Sequence, residues 1–292
     1  MTLTRVLTAL VLIPIAVGIV LFTPTWAVAI AVAALTILAL WEYFALGDAI
    51  GHRAYRLWTI FCAVGLVYSQ WVGGFSAWAS RSGVPAVLHV GSAQLPVDHL
   101  NTTCLLSIFI FGLTVLTLFT RRPLVETLPA AGISSSALLL VAYPLSFAVR
   151  LHGTPPQGPR LLLFALVITW AADTFAYFVG RAIGKHPLAP RISPKKTWEG
   201  SIGGMIGSVL VAYAFSFFLK IPLPHLFAMA VLGNIAGQMG DLLESACKRS
   251  AGVKDSGGLL PGHGGILDRI DALILCIPVI WYYLVLVNPR TS

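Results

Sequence analysis

Long apolar runs broken by short polar links repeat along the whole chain. Each run is about the length needed to cross a bilayer as a helix, about 20 residues. Nine such stretches are predicted, near 6–22, 26–46, 57–75, 103–120, 128–149, 161–180, 199–219, 225–243 and 270–288. The first could pass for a signal peptide. It lacks a clear cleavage site and has eight runs behind it, so it is expected to be a helix. The predicted fold is all-α, a polytopic transmembrane helix bundle with about nine spans and a cytoplasmic N-terminus.

Composition agrees. Of 292 residues, 57% are hydrophobic and only 10% charged, where a soluble domain carries about 25%. The basic residues set the orientation. With the N-terminus inside, only Arg81, Arg150, Arg160, Lys220 and Arg290 fall in outer segments, and every other Lys and Arg faces the cytoplasm. None of the four cysteines forms a CxxC pair, so they are expected to be small buried hydrophobes.

The acidic residues divide the chain. Residues 1–150 are expected to be scaffold helices and residues 151–292 a catalytic region with cytoplasmic loops at 181–200 and 244–269. Asp173, Glu199, Asp241, Glu244, Asp255, Asp268 and Asp271 lie in the second part, against eleven acidic residues in all. Charge within a membrane is costly, so these are candidates for function.

On the eighth span, Asn234, Gln238, Asp241, Ser245 and Lys248 follow one helical face. For the two amides, helix–helix hydrogen bonding is as good a reading as function. A carboxylate at Asp241 calls for a cation or a proton. Gly200, Gly203, Gly204 and Gly207, and Gly233 with Gly237, have the spacing of close helix packing.

Two loops carry the candidate chemistry. From Asp241 the chain reads DLLESACKRSAGVKDSGGLLPGHGGILDRID. Ser245, Lys248, Arg249 and Lys254 precede glycines that let backbone approach a ligand, and Gly264 and Gly265 lead into a helix start, a natural anion site. Asp268 and Asp271 follow on one face, with Arg269 between them. Carboxylates beside phosphate need a divalent cation between, and Asp241 and Asp268 are expected to share Mg²⁺. His263 is placed to orient a phosphate, and Asp255 or Asp271 to fix a basic side chain or a second cation such as K⁺. The other loop reads SPKKTWEG from Ser193. Lys195 and Lys196 stand ahead of a helix capped by Thr197, with Glu199 in its first turn. The plainer reading, positive-inside anchoring, suffices for Arg181 and Lys185. Asp173, two turns or roughly 10 Å inside its span, is expected to hold Arg181 or a lysine, or to join the metal.

These residues resemble the phosphatidate cytidylyltransferase family, the CDP-diacylglycerol synthases. The family signature is met at Ser245, Lys248, Arg249, Lys254, Asp255, Gly257, Leu260, Pro261, His263, Gly264, Gly265, Ile266, Asp268, Arg269 and Asp271, and Cys247 departs from it. Ser193–Gly200 looks like its second motif. The resemblance implies transfer of a cytidylyl group from CTP to phosphatidate, Mg²⁺ dependence, a dimer known in the family, and Asp241 with Asp268 as metal ligands. Lys196, Lys248, Arg249, His263 and Asp271 are expected at the reaction. Ser193, Lys195, Thr197, Glu199, Ser245, Lys254, Asp255, Gly264, Gly265, Arg269 and Asp173 are placed around the substrates. CTP, phosphatidate and membrane lipids are the expected partners, with a homodimer besides, and nucleic acid is not among them. The expected location is a bacterial inner membrane with the site facing the cytoplasm. Two other readings remain: a CTP-dependent transferase or kinase on an ether lipid or polyprenol, and an ion-coupled transporter.

Overall fold

The computed structural model describes the backbone of residues 2–81, 87–90, 93–259 and 264–287, and the side chains of 10–74, 102–259 and 264–287. Among the described residues the chain forms ten α-helices. They are α1 (Thr2–Phe22), α2 (Thr25–Ala49), α3 (Arg56–Arg81), α4 (Val97–Leu118), α5 (Thr127–Ser136), α6 (Tyr143–His152), α7 (Gly158–Ile183), α8 (Trp198–Phe215), α9 (Leu223–Ser250) and α10 (Leu267–Val287). A π-helical segment, Ala137–Ala142, joins α5 to α6, so the two form one rod. Among the described residues, six helical segments are long and apolar enough to cross a membrane: Thr25–Ala49, Arg56–Gly74, Leu124–His152, Gly158–Ile183, Leu223–Ser250 and Leu267–Val287. Leu10–Phe22 and Thr102–Leu118 are shorter apolar helices. The chain is an all-α, multi-pass membrane protein.

Two hairpins interrupt the helical pattern. Strands β1 (Val87–Val90) and β2 (Ala93–Pro96) pair antiparallel in the loop before α4, and β3 (Pro187–Ala189) and β4 (Ser193–Thr197) pair antiparallel in the basic loop before α8. The second hairpin is too short, and too rich in proline, to be seen as alternation in the sequence.

Helix packing follows the small residues. A side chain on Gly204 would meet the Ala172 carbonyl oxygen at 2.9 Å, so α8 lies directly against α7. Gly240 brings α9 equally close to α10: a Cβ there would stand 2.5 Å from the Asp271 carbonyl oxygen. The glycine spacing thus serves packing inside the chain. Around these contacts the buried apolar side chains form one cluster, from Leu40, Phe44 and Leu66 through Leu138 and Leu151 to Phe164, Ile168, Met229 and Ile277. That cluster runs through residue 150 without a break. The rings of Phe147 on α6 and Trp281 on α10, with centroids 5.2 Å apart, are one of the joints. Cys62 and Cys276 are buried, Cys104 is exposed and Cys247 intermediate, and all four are free thiols.

Candidate active site

A cavity of about 560 Å³ opens between α7, α8, α9 and the β3–β4 hairpin. Thr169, Asp173, Tyr177 and Arg181 line it from one face of α7, as their spacing in steps of four requires. Lys195, Lys196 and Thr197 enter from β4, Gly200 and Ser201 from α8, and Asn234, Gln238 and Asp241 from α9. Its deep wall is an amide network. Asn234 donates to Ser208 Oγ at 2.8 Å, Gln238 donates to Asn234, and Ser201 donates to Gln238 Oε1 at 2.5 Å. The two amides therefore glue α8 to α9 and also face the cavity.

The hairpin is fixed at both ends. Thr197 caps α8, its Oγ1 accepting from the Gly200 amide at 3.1 Å. Glu199, in the first turn, accepts from the amides of Lys185 and His186 at 3.1 and 3.3 Å, and its Oε1 is 2.6 Å from His186 Nδ1. Glu199 is thus occupied in closing the hairpin. Arg249 ties the hairpin tip to the loop after α9, with Nε on the Ile192 carbonyl at 3.3 Å and Nη1 on the Val253 carbonyl at 2.9 Å. Ser193, at the start of β4, pairs with Ala189. Lys195 is exposed on the cavity wall.

Two lysine–aspartate pairs bear the charge. Lys196 binds Asp241, whose other oxygen is 3.4 Å from Ser245 Oγ. Lys248 stands 2.5 Å from both Asp268 Oδ1 and Glu244 Oε2, with all three side chains at most 10% exposed. The remaining oxygen of Asp268 accepts from the Ser256 amide at 3.0 Å and the Gly265 amide at 2.8 Å, and lies 3.0 Å from the Ser256 hydroxyl, whose single proton it shares with Glu42. Gly264 has φ +79°, open to glycine at little cost, and a Cβ there would meet Asp268 Oδ2 at 2.8 Å.

The structure therefore brings Lys195, Lys196, Asp173 and Asp241 to one cavity. It sets Lys248, Asp268, Gly264 and Gly265 in a closed cluster beside it. Asp271 accepts from the amide of Ala272 at 2.7 Å. Asp173 and Asp271 both feel the charge of Asp241, and Asp173 also that of Lys196 and Arg269. Arg181 binds the Tyr177 hydroxyl at 2.9 Å, so of the alternatives for Asp173 the pairing with Arg181 is not the one formed. Lys254 and Asp255 are exposed on the loop, and Arg269 is exposed at the start of α10. His263 lies outside the described residues.

Among the described residues, no three His, Cys, Asp or Glu side chains converge tightly enough to hold a metal by themselves. The donors present are nonetheless hard oxygens, the kind Mg²⁺ takes one or two at a time, filling its shell with water and phosphate oxygens. Asp241 and Asp173 fit that use, since both face the cavity. Asp268 has a lysine on one oxygen and three donors on the other.

Two residues of this cluster are not apparent from the loop motifs: Ser256, and Glu42, whose carboxylate is 2.9 Å from Ser256 Oγ. Glu42 offered one signal, a lone carboxylate in the middle of an apolar run.

The match to known proteins covers nearly all of this framework. Residues 3–287 fit the model of the cytidylyltransferase family. The chain belongs to that family. It is 33% identical to the phosphatidate cytidylyltransferase of Haemophilus influenzae over 303 residues, covering 96% of this chain and 97% of that protein. It is 37% identical to the phosphatidate cytidylyltransferase of Bacillus subtilis over 177 residues, 59% of this chain and 66% of that one. With the Staphylococcus haemolyticus protein of the same name it shares 45% over 145 residues, 49% of this chain and 56% of the relative.

Proposed function

We propose that the chain joins CTP to phosphatidate, forming CDP-diacylglycerol in the membrane and releasing pyrophosphate. The observation that carries this is the Lys195–Lys196–Asp241 wall of the cavity, in a chain alike over almost its whole length to a phosphatidate cytidylyltransferase. A phosphomonoester is already an anion at neutral pH, so the reaction needs no strong base. One of its oxygens bonds to the α-phosphorus of CTP as the bond from that phosphorus to the bridging oxygen breaks, and pyrophosphate leaves with the electron pair. The protein must bring two mutually repelling anions into line and neutralise the leaving group.

Lys195 and Lys196 supply positive charge on the cavity wall. Lys196 starts on Asp241 and is free to turn to a phosphate when another cation takes that carboxylate. Asp241 and Asp173 are the groups we assign to Mg²⁺, with Asp268 able to join when Lys248 turns from it. The ion's contribution is to screen phosphate charge. Arg249 and Glu199 hold the hairpin that presents the lysines. Asn234, Gln238 and Ser201 line the deep, membrane-side end, which suits the lipid, and CTP enters at the hairpin.

The same reading sets the topology at nine crossings: α1, α2, α3, α4, the Leu124–His152 rod, α7, α8, α9 and α10. The N-terminus and the site lie in the cytoplasm, in a bacterial inner membrane. It is supported by Arg122, which donates to the Arg53 carbonyl at 2.5 Å and so joins two basic loops at one end of the bundle. A homodimer is the proposed assembly, which light scattering in detergent tests.

The decisive assay supplies labelled CTP and phosphatidate to the purified protein, with and without Mg²⁺. Liponucleotide and pyrophosphate in equal amounts are expected, only with the ion. Absence of both products would sink the assignment.

A further inference from the structure

The glycine-rich loop of the site closes on a side chain from the other half of the chain. Glu42 lies in α2 and is 3% exposed. No lysine or arginine forms an ion pair with it among the described residues. Its carboxylate is satisfied by neutral donors: Ser256 Oγ at 2.9 Å, the Ile266 amide at 3.0 Å and the Leu267 amide at 2.8 Å. Two glycines of the loop press directly against it. A Cβ on Gly257 would stand 2.5 Å from Glu42 Oε1, and one on Gly265 would overlap both Glu42 and Ser256. The amides that open α10, which would otherwise attract an anion from outside, are taken by this internal one.

Ser256 connects that carboxylate to the charged cluster, since its Oγ lies between Glu42 and Asp268. Asp268 in turn holds Lys248. Glu42 does not line the cavity. From this chain of contacts, and resting on the function proposed above, we infer that Glu42 is a positioning residue for cytidylyl transfer. It seats the start of α10 and, through Ser256, fixes the Asp268–Lys248 pair beside the reacting groups. A carboxylate in a membrane helix is tolerated where it is fully hydrogen-bonded and serves a purpose.

The test uses the full chain in detergent with CTP, phosphatidate and Mg²⁺. Glu42→Gln preserves size but turns an NH₂ group toward an amide donor, whichever way it lies. It is expected to lower kcat by about 100-fold, the cost of misplacing a site by about 1 Å, with KM for CTP unchanged. Ser256→Ala leaves Glu42 on the amides of Ile266 and Leu267 and leaves the residue 256 amide on Asp268, and removes only the hydroxyl that joins the two carboxylates. It is expected to lower kcat by about tenfold, one lost hydrogen bond. The double variant should be no worse than Glu42→Gln alone, because the two act in series. Losses that multiply, or a raised KM at full kcat, would overturn the positioning role. Should Glu42→Gln not fold, Ser256→Ala decides alone, and wild-type kcat in that variant overturns the inference. An unaltered chain that makes no product overturns this inference and the proposed function together. An active chain with two fully active variants overturns the inference only.

Discussion

The two lysine–aspartate pairs look alike in sequence and differ in the fold. Lys196 and Asp241 meet across two elements on a cavity wall, with side chains 30% and 25% exposed. Lys248 and Asp268 meet at 10% and 6% exposure, with Glu244 on the same ammonium and three further donors on the aspartate. The first pair is held by little besides its own charges, so a substrate or an ion can compete for either partner. The second is built into the loop, and separating it strands a charge away from water. Exposure sets which pair exchanges readily and which opens only at a cost.

Asp268→Asn should produce the largest change. Removing one partner of a buried ion pair costs about 3–5 kcal/mol, and here it also weakens the hold on Ser256 and Gly265. Thermal unfolding in detergent should fall by many degrees, and a midpoint equal to wild type would erase the distinction between the pairs. Asp241→Asn should leave that midpoint nearly in place, because a part-exposed pair contributes about 0–1 kcal/mol. Its kcat should fall about 10²–10³-fold, the scale of losing one group that stabilises transition-state charge. Normal turnover in that variant would remove Asp241 from the reaction. Arg249→Lys sharpens the comparison from outside both pairs. Lysine has no fork to reach Ile192 and Val253 together, so the hairpin loosens and KM for CTP should rise about tenfold, worth about 1.4 kcal/mol. An unchanged KM would mean that the hairpin needs no tether. Asn234→Ala should do least, about 0.6 kcal/mol of stability, as for other interhelical hydrogen bonds in membranes. A large loss of turnover there would move the amide network from packing into substrate contact.

Most of the architecture was legible because bilayer thickness imposes one length on every span. The apolar runs near 26–46 and 161–180 became Thr25–Ala49 and Gly158–Ile183, longer at both ends because helices continue into the polar interface. The cap at Thr197 and the polar face of α9 followed from local rules of spacing and hydrogen bonding. Contacts between distant segments did not. Glu42 bonds residues 214 to 225 positions away, and no local pattern announces such a partner. The loop glycines were legible as close approach, but the group approached is the protein's own carboxylate as well as any ligand. Arg249 reads in sequence as a phosphate ligand beside Lys248. One residue further round the helix end, it also faces two carbonyls and tethers the hairpin.

Counted as a crossing, α8 is short. Its 18 residues span about 27 Å, against about 30 Å of hydrocarbon, and the neighbouring α9, with 28 residues, spans about 42 Å. Lipids beside a short helix meet it by thinning the bilayer locally, at a modest cost per ångström. On the nine-crossing topology proposed above, such thinning would lower the headgroup layer along the helix that carries the lysine hairpin, beside the longer α9 with Lys248 and Arg249. A lipid phosphate there would stand nearer the cavity wall, and the substrate would not need to be pulled out of the membrane.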